Sequence, residues 1–120
     1  MATTDARAEV QMPSARSTAA KARVKKDAEL RFKRAQRASI LLKHVSDATR
    51  LQVILLLAEG ERHVGDLSES LNQSQPAVSH HLALMRHGGI VVPRRQGKNN
   101  YYSLTDSGEI LAKVVRAMTS

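Results

Sequence analysis

The chain has 120 residues, a formal net charge of +8, no cysteine, one Phe, two Tyr and no Trp. That length holds one domain plus tails, and the missing cysteines exclude disulfides, thiolate metal sites and thiol redox sensing. No apolar run approaches the ~20 residues of a membrane span, and no continuous apolar h-region opens the chain, so a soluble, cytoplasmic protein with an aliphatic core is expected.

The charge is uneven. Residues 1–37 carry ten Lys/Arg against four Asp/Glu, a net of +6, whereas 38–120 carry nine against seven, a net of +2. A basic leading segment suits a polyanion, because each neutralised phosphate releases counterions. The plain alternative is a solvated basic tail. Residues 1–18 mix Ala, Thr, Ser, Asp and Arg around Pro13 without a period and read as a disordered tail. From Ala19 to Lys43 there is no Gly or Pro, and Ala, Lys, Arg, Glu and Leu dominate, which is helix composition. The apolar stripe is weak early and strong only at Ile40, Leu41, Leu42 and Val45. Residues 19–37 are therefore expected to be a basic arm or helix, exposed and frayed, ahead of a packed domain over 38–120.

Ser46 or Asp47 caps the next helix, whose run Leu51, Val53, Ile54, Leu55, Leu56, Leu57 is the most apolar in the chain. Glu59-Gly60 ends it and Glu61-Arg62-His63 reads as a connector. Residues 64–72 make a short helix with Val64, Leu67 and Leu71 facing in. Ser74 then caps a second helix, with Pro76 in its first turn and Gly88-Gly89 at its end. Val78, Leu82 and Met85 form its apolar stripe, and the opposite side shows Pro76, His80, Ala83 and His87, flanked by Gln75 and Ser79. That face has no acid. A short helix, a tight turn and a second helix with a polar outer face make a helix-turn-helix, whose second helix enters the major groove.

After Gly89 the period changes. Residues 90–96 read as a strand, Gly97-Lys98-Asn99-Asn100 as a turn and Tyr101–Leu104 as a second strand. Pro93 lacks a ladder donor, so the first strand lies at an edge or is bulged there. Three cations and no acid lie between Ile90 and Leu104. A basic hairpin behind a recognition helix reads as a wing, with Arg94, Arg95 and Lys98 along the phosphates or the minor groove, the plain alternative being an ordinary solvated hairpin. Thr105 caps the last helix, where Ile110, Leu111, Val114, Val115 and Met118 form a stripe. With the winged core complete before it, this stripe and that of Leu41 and Val45 are expected to form a homodimer interface, which places two recognition helices on successive half-sites. The fold expected is mainly α, a winged helix-turn-helix of order α-α-α-α-β-β-α with a basic helical or disordered N-terminal extension.

Residues 38–118 resemble the ArsR/SmtB family of bacterial winged helix-turn-helix repressors. The segments that carry the likeness are Asp47–Leu51, Val64–Leu67, Ser74–Leu82, Gly89–Val91, Arg95–Lys98 and Tyr101–Leu104. The resemblance implies a dimeric, operator-binding repressor released by an inducer. It also offers metal sensing, and there the chain departs from the pattern. One family site uses cysteines near the position of His63. The other needs a His where Gly108 stands and a later ligand where Thr119 stands. Adjacent His80 and His81 point about 100° apart on a helix and cannot chelate together. No metal site and no cofactor are expected.

Ser74, Gln75, Ser79 and His80 are the residues expected to contact bases or the nearest phosphates, with Gln75 suited to adenine N6/N7, and Arg94, Arg95, Lys98 and Arg50 the backbone contacts. The partners expected are double-stranded DNA, a second copy and an unidentified inducer, small molecule or other, with no membrane. Two alternatives remain at this level: a winged-helix module for protein interaction, and a non-specific architectural DNA binder favoured by the basic arm. No nucleophile–base spacing, phosphate loop or carboxylate pair suggests an enzyme.

Overall fold

The computed structural model describes residues 17–120; the tail expected over 1–18 lies, apart from its last two residues, outside them. In chain order the elements are helix α1 (Thr18–His44), α2 (Ala48–Glu59), strand β1 (Arg62–His63), α3 (Val64–Leu71), α4 (Gln75–His87), strands β2 (Val91–Gln96) and β3 (Asn99–Leu104), and α5 (Asp106–Thr119). Residues from Ala38 onward form one compact unit, and the described residues before it, 17–37, belong to another.

The basic stretch is helix from Thr18, and none of its residues is buried. Ser17 opens it, its hydroxyl accepting the Ala20 amide at 3.1 Å.

The core of the second unit is aliphatic. Val53, Ile54 and Leu57 of α2 meet Leu67 of α3, the Val78, Leu82 and Met85 stripe of α4, Ile90 and Val91. Leu111 and Ala112 of α5 and Val45 belong to the same cluster. This corrects one expectation. The core is not complete without α5, and Val45 and Leu111, expected at a dimer interface, are buried inside their own chain. Leu41 and Val115 are half-buried, and Ile110, Val114 and Met118 remain exposed at 61%, 41% and 78%. An apolar cavity of about 270 Å³ lies between the 42–46 segment and α5, lined by Leu42, Val45, Leu51, Val114, Val115 and Met118 among others.

Local chemistry sets the helix ends. The Asp47 carboxylate accepts the Arg50 amide at 3.0 Å and starts α2. The Thr105 hydroxyl accepts the Gly108 amide at 3.2 Å and donates back toward the Gly89 and Ile90 carbonyls, fixing α5 to the end of the chain segment after α4. The segment 61–63 differs from the connector expected. Arg62 and His63 form a strand that pairs with Tyr102 and Tyr101, so the sheet has the order β1-β3-β2. The hairpin is also tighter than expected. Gln96 pairs with Asn99, which leaves a two-residue turn of Gly97 and Lys98 and puts Asn99 and Asn100 in β3. Gly97 takes the positive φ of 62° that the first position of such a turn requires. β2, with Pro93, is an outer strand, one of the two placements the missing donor allows. Among the described residues no helix is long and apolar enough to cross a membrane.

Candidate nucleic-acid interface

The turn into α4 is held from several sides. Asn72 adopts the left-handed conformation that ends α3. The Ser68 hydroxyl donates to the Gln73 carbonyl, and the Gln73 side-chain amide donates to the Thr49 hydroxyl of α2 at 3.0 Å. Ser74 then caps α4, its hydroxyl accepting the Ala77 amide at 3.3 Å. With Val78, Leu82 and Met85 buried, Ser74, Gln75, Ser79 and His80 are left exposed on the outer side.

Those residues do not act as a bare helix face. Gln75 and Ser79 share a polar cleft of about 310 Å³ with His63, Val64 and Gly65 at the start of α3 and with Lys98, Asn99 and Asn100 of the wing. No carboxylate lines it. His80 is exposed outside that lining. His63, Asn99 and Asn100 were not picked out as site residues from the sequence. For the two asparagines, a tighter reading of Gly97-Lys98 as a two-residue turn was the available signal. For His63 the local signal was a weak one, because histidine is not among the usual capping residues. His63 Nδ1 accepts the Gly65 amide at 3.0 Å and the Asp66 amide at 3.4 Å, so the imidazole caps α3. Its Nε2 is 3.5 Å from the Asp66 carboxylate, and its ring meets Tyr101 edge-on at 5.3 Å.

The four expected backbone contacts divide into two pairs. Arg95 and Lys98 are exposed on the wing; the Arg95 Nε also donates to the Gly97 carbonyl at 3.1 Å. Arg94 and Arg50 are held by the protein. Arg94 donates from Nε and Nη2 to the two Glu61 oxygens at 3.0 and 2.6 Å, and its guanidinium lies 5.5 Å above the Tyr101 ring. The hydrogen-bonded guanidinium holds the Glu61 carboxyl below its usual range, and the carboxylate raises Arg94 in turn. The hairpin itself carries no acid, but Glu61 supplies one from outside it. Arg50 donates through Nε to His81 Nδ1 at 3.1 Å and through Nη1 to the His44 carbonyl at 3.1 Å. It joins α2 to α4 and to the end of α1 instead of reaching outward. The Arg50 amide, followed by the nearby His81 and Arg50 side chains, holds the Asp47 carboxyl below its usual range despite an opposing desolvation effect.

The residues present do not fit the metal sites that the family resemblance offers. Gly108 is buried, and a side chain there would run into the Ile90 carbonyl and Leu104, so the position has no room for a ligand. The His80 and His81 rings are 6.2 Å apart and tilted by 58°, with His81 Nδ1 already accepting from Arg50. Among the described residues no three His, Cys, Asp or Glu side chains converge on one point.

Residues 47–92 match the family model described as "Bacterial regulatory protein, arsR family". The chain is 50% identical over 66 residues to the arsenical resistance operon repressor of Escherichia coli (strain K12), a match that covers 54% of this chain and 56% of that one. It is 38% identical over 82 residues to the transcriptional activator HlyU of Vibrio cholerae, covering 68% and 75%. Among solved structures it is similar to the homodimeric winged helix-turn-helix DNA-binding domain of Mb0332 from Mycobacterium bovis, a possible ArsR-family transcriptional regulator. The TM-score is 0.66 at 26% identity, covering 73% of this chain and 82% of that one.

Proposed function

The chain belongs to the ArsR family of bacterial regulatory proteins, and from that premise we propose that it is a dimeric, operator-binding transcriptional repressor which an inducer releases from DNA. The observation that carries this is the acid-free cleft in which Gln75 and Ser79 of α4 meet Lys98, Asn99 and Asn100 of the wing. Such a pairing sets base-edge donors and acceptors beside a phosphate-binding cation. In this reading Gln75 pairs with an adenine edge, and Ser79, His80 and Ser74 contact neighbouring bases or the first phosphates. Arg95 and Lys98 hold the flanking backbone. Arg94 braces the wing against Glu61, and Arg50 sets the pose of α4. The exposed Ile110, Val114 and Met118, with half-buried Leu41 and Val115, form the dimer face. Relatives include a repressor and an activator, and the higher identity to the repressor supports repression. The protein works in the cytoplasm.

Selecting bound fragments from random DNA tests this directly. Gln75→Ala or His80→Ala is expected to weaken binding to the selected operator by about 1–3 kcal/mol and to relax specificity, whereas Lys98→Ala weakens all duplexes alike. If the Gln75 variant lost operator and random DNA equally, base reading by α4 would be wrong. A module that binds only proteins would show no salt-steep affinity for any duplex.

A further inference from the structure

Helix α1 lies outside the residues that match the family model, and it carries a pattern of its own. Over 18–37 it holds eight Lys/Arg and two acids. All ten side chains are exposed, and among the described residues none of them is ion-paired. At 3.6 residues per turn, Arg23, Lys26, Lys33, Arg34 and Arg37 fall within an arc of about 100° along about 21 Å of helix. Asp27 and Glu29 fall outside that arc, and only Leu30 interrupts it. The other cations, Lys21, Lys25 and Arg31, lie elsewhere on the helix, among Val24, Ala28, Phe32 and Ala35.

The winged unit carries less net charge than the stretch before it. Its net charge is only +2. Glu61 occupies Arg94, Glu59 occupies Arg62 at 3.1 Å, and Arg50 is turned inward. Arg95 and Lys98 are what remain on the wing. We propose that the Arg23–Arg37 face of α1 is a phosphate-binding surface that runs along the DNA backbone beside the operator and provides most of the salt-sensitive part of the affinity. This rests on the DNA-binding reading above. A lipid surface is the less fitting polyanion, because only Val24, Leu30 and Phe32 are large and apolar in this stretch, and Leu30 sits among the cations. No continuous apolar face is available to enter acyl chains.

The test compares two triple variants of the full chain that remove equal charge from different faces: Lys26→Gln, Lys33→Gln, Arg37→Gln and Lys21→Gln, Lys25→Gln, Arg31→Gln. Glutamine keeps helix propensity, and circular dichroism checks that both retain it. Binding to a random-sequence duplex and to the selected operator is measured between about 50 and 200 mM salt. The first variant is expected to lose about 2–3 of the salt slope per protomer, about 0.9 for each phosphate contact, with tens-fold weaker binding at the low end, and to keep its preference for the operator. The second is expected to stay near wild type. Equal slopes for the two variants would overturn the proposal while leaving the DNA-binding reading intact. So would an unchanged DNA slope in the first variant with lost binding to anionic phospholipid vesicles. A wild-type chain that bound neither duplex at any salt would overturn the DNA-binding reading itself.

Discussion

Arg94 lies between a carboxylate and an aromatic ring, and its charge is answered before any nucleic acid arrives. Replacing Glu61 by Gln removes that answer while keeping the side chain's size. Binding to random duplexes should tighten several-fold, and the salt slope should steepen by up to about 1 as the freed guanidinium takes a phosphate, which a salt titration would detect. The sign of the pH effect is fixed by the direction of the Glu61 shift. A carboxyl held low in the folded state stabilises the fold above its ordinary range, and that contribution is lost as pH falls through the lowered value. Arg50 and His81 invite a different measurement. Their side chains meet across 31 residues of sequence, so Arg50→Ala, His81→Ala and the double variant form a cycle. The two single losses of operator affinity should fail to add, with a coupling of about 0.5–3 kcal/mol. Simple additivity would mean that Arg50 does not act through the recognition helix.

Among the elements, the helices were the legible part of the sequence, and for a local reason. A cap binds an amide three residues away, as at Asp47, Ser74 and Thr105, so residue type and spacing suffice to place it. The apolar stripe of α4 was likewise complete in a single stretch. What the sequence hid were contacts between distant residues. β1 is two residues long and exists only because Tyr101 and Tyr102 lie opposite it. Glu61 meets Arg94 across 33 positions. The wing therefore looked more cationic than it is, and Arg50 looked like an outward contact. The same blindness applied to α5, whose apolar stripe did not reveal that Leu111 and Ala112 close the core. Gly108 marks how tightly that helix packs. Gly108→Ala puts a methyl against the Ile90 carbonyl and Leu104, and is expected to cost about 1–3 kcal/mol, read from the denaturant midpoint.

At the scale of the whole molecule, the exposed apolar residues of α5 matter most. Ile110→Glu with Val114→Glu alters positions already open to solvent in one copy, so each protomer should fold while sedimentation reports a monomer. Affinity for a palindromic operator should then fall by about two to four orders of magnitude, because the second half-site contact is no longer intramolecular. A dimeric double variant would place the interface elsewhere. One feature of the sheet reaches beyond recognition. β2 is an outer strand with an open ladder, the kind of edge on which strands from other copies can add. Pro93 leaves a gap in its donors, and Arg94 and Arg95 put bulk and charge beside that gap. Arg94, which braces the wing, and Arg95, the proposed phosphate contact, also keep this edge from seeding stacked sheets. Substituting them with β-branched residues, as a way to silence the wing, would yield a protein that clumps as it concentrates.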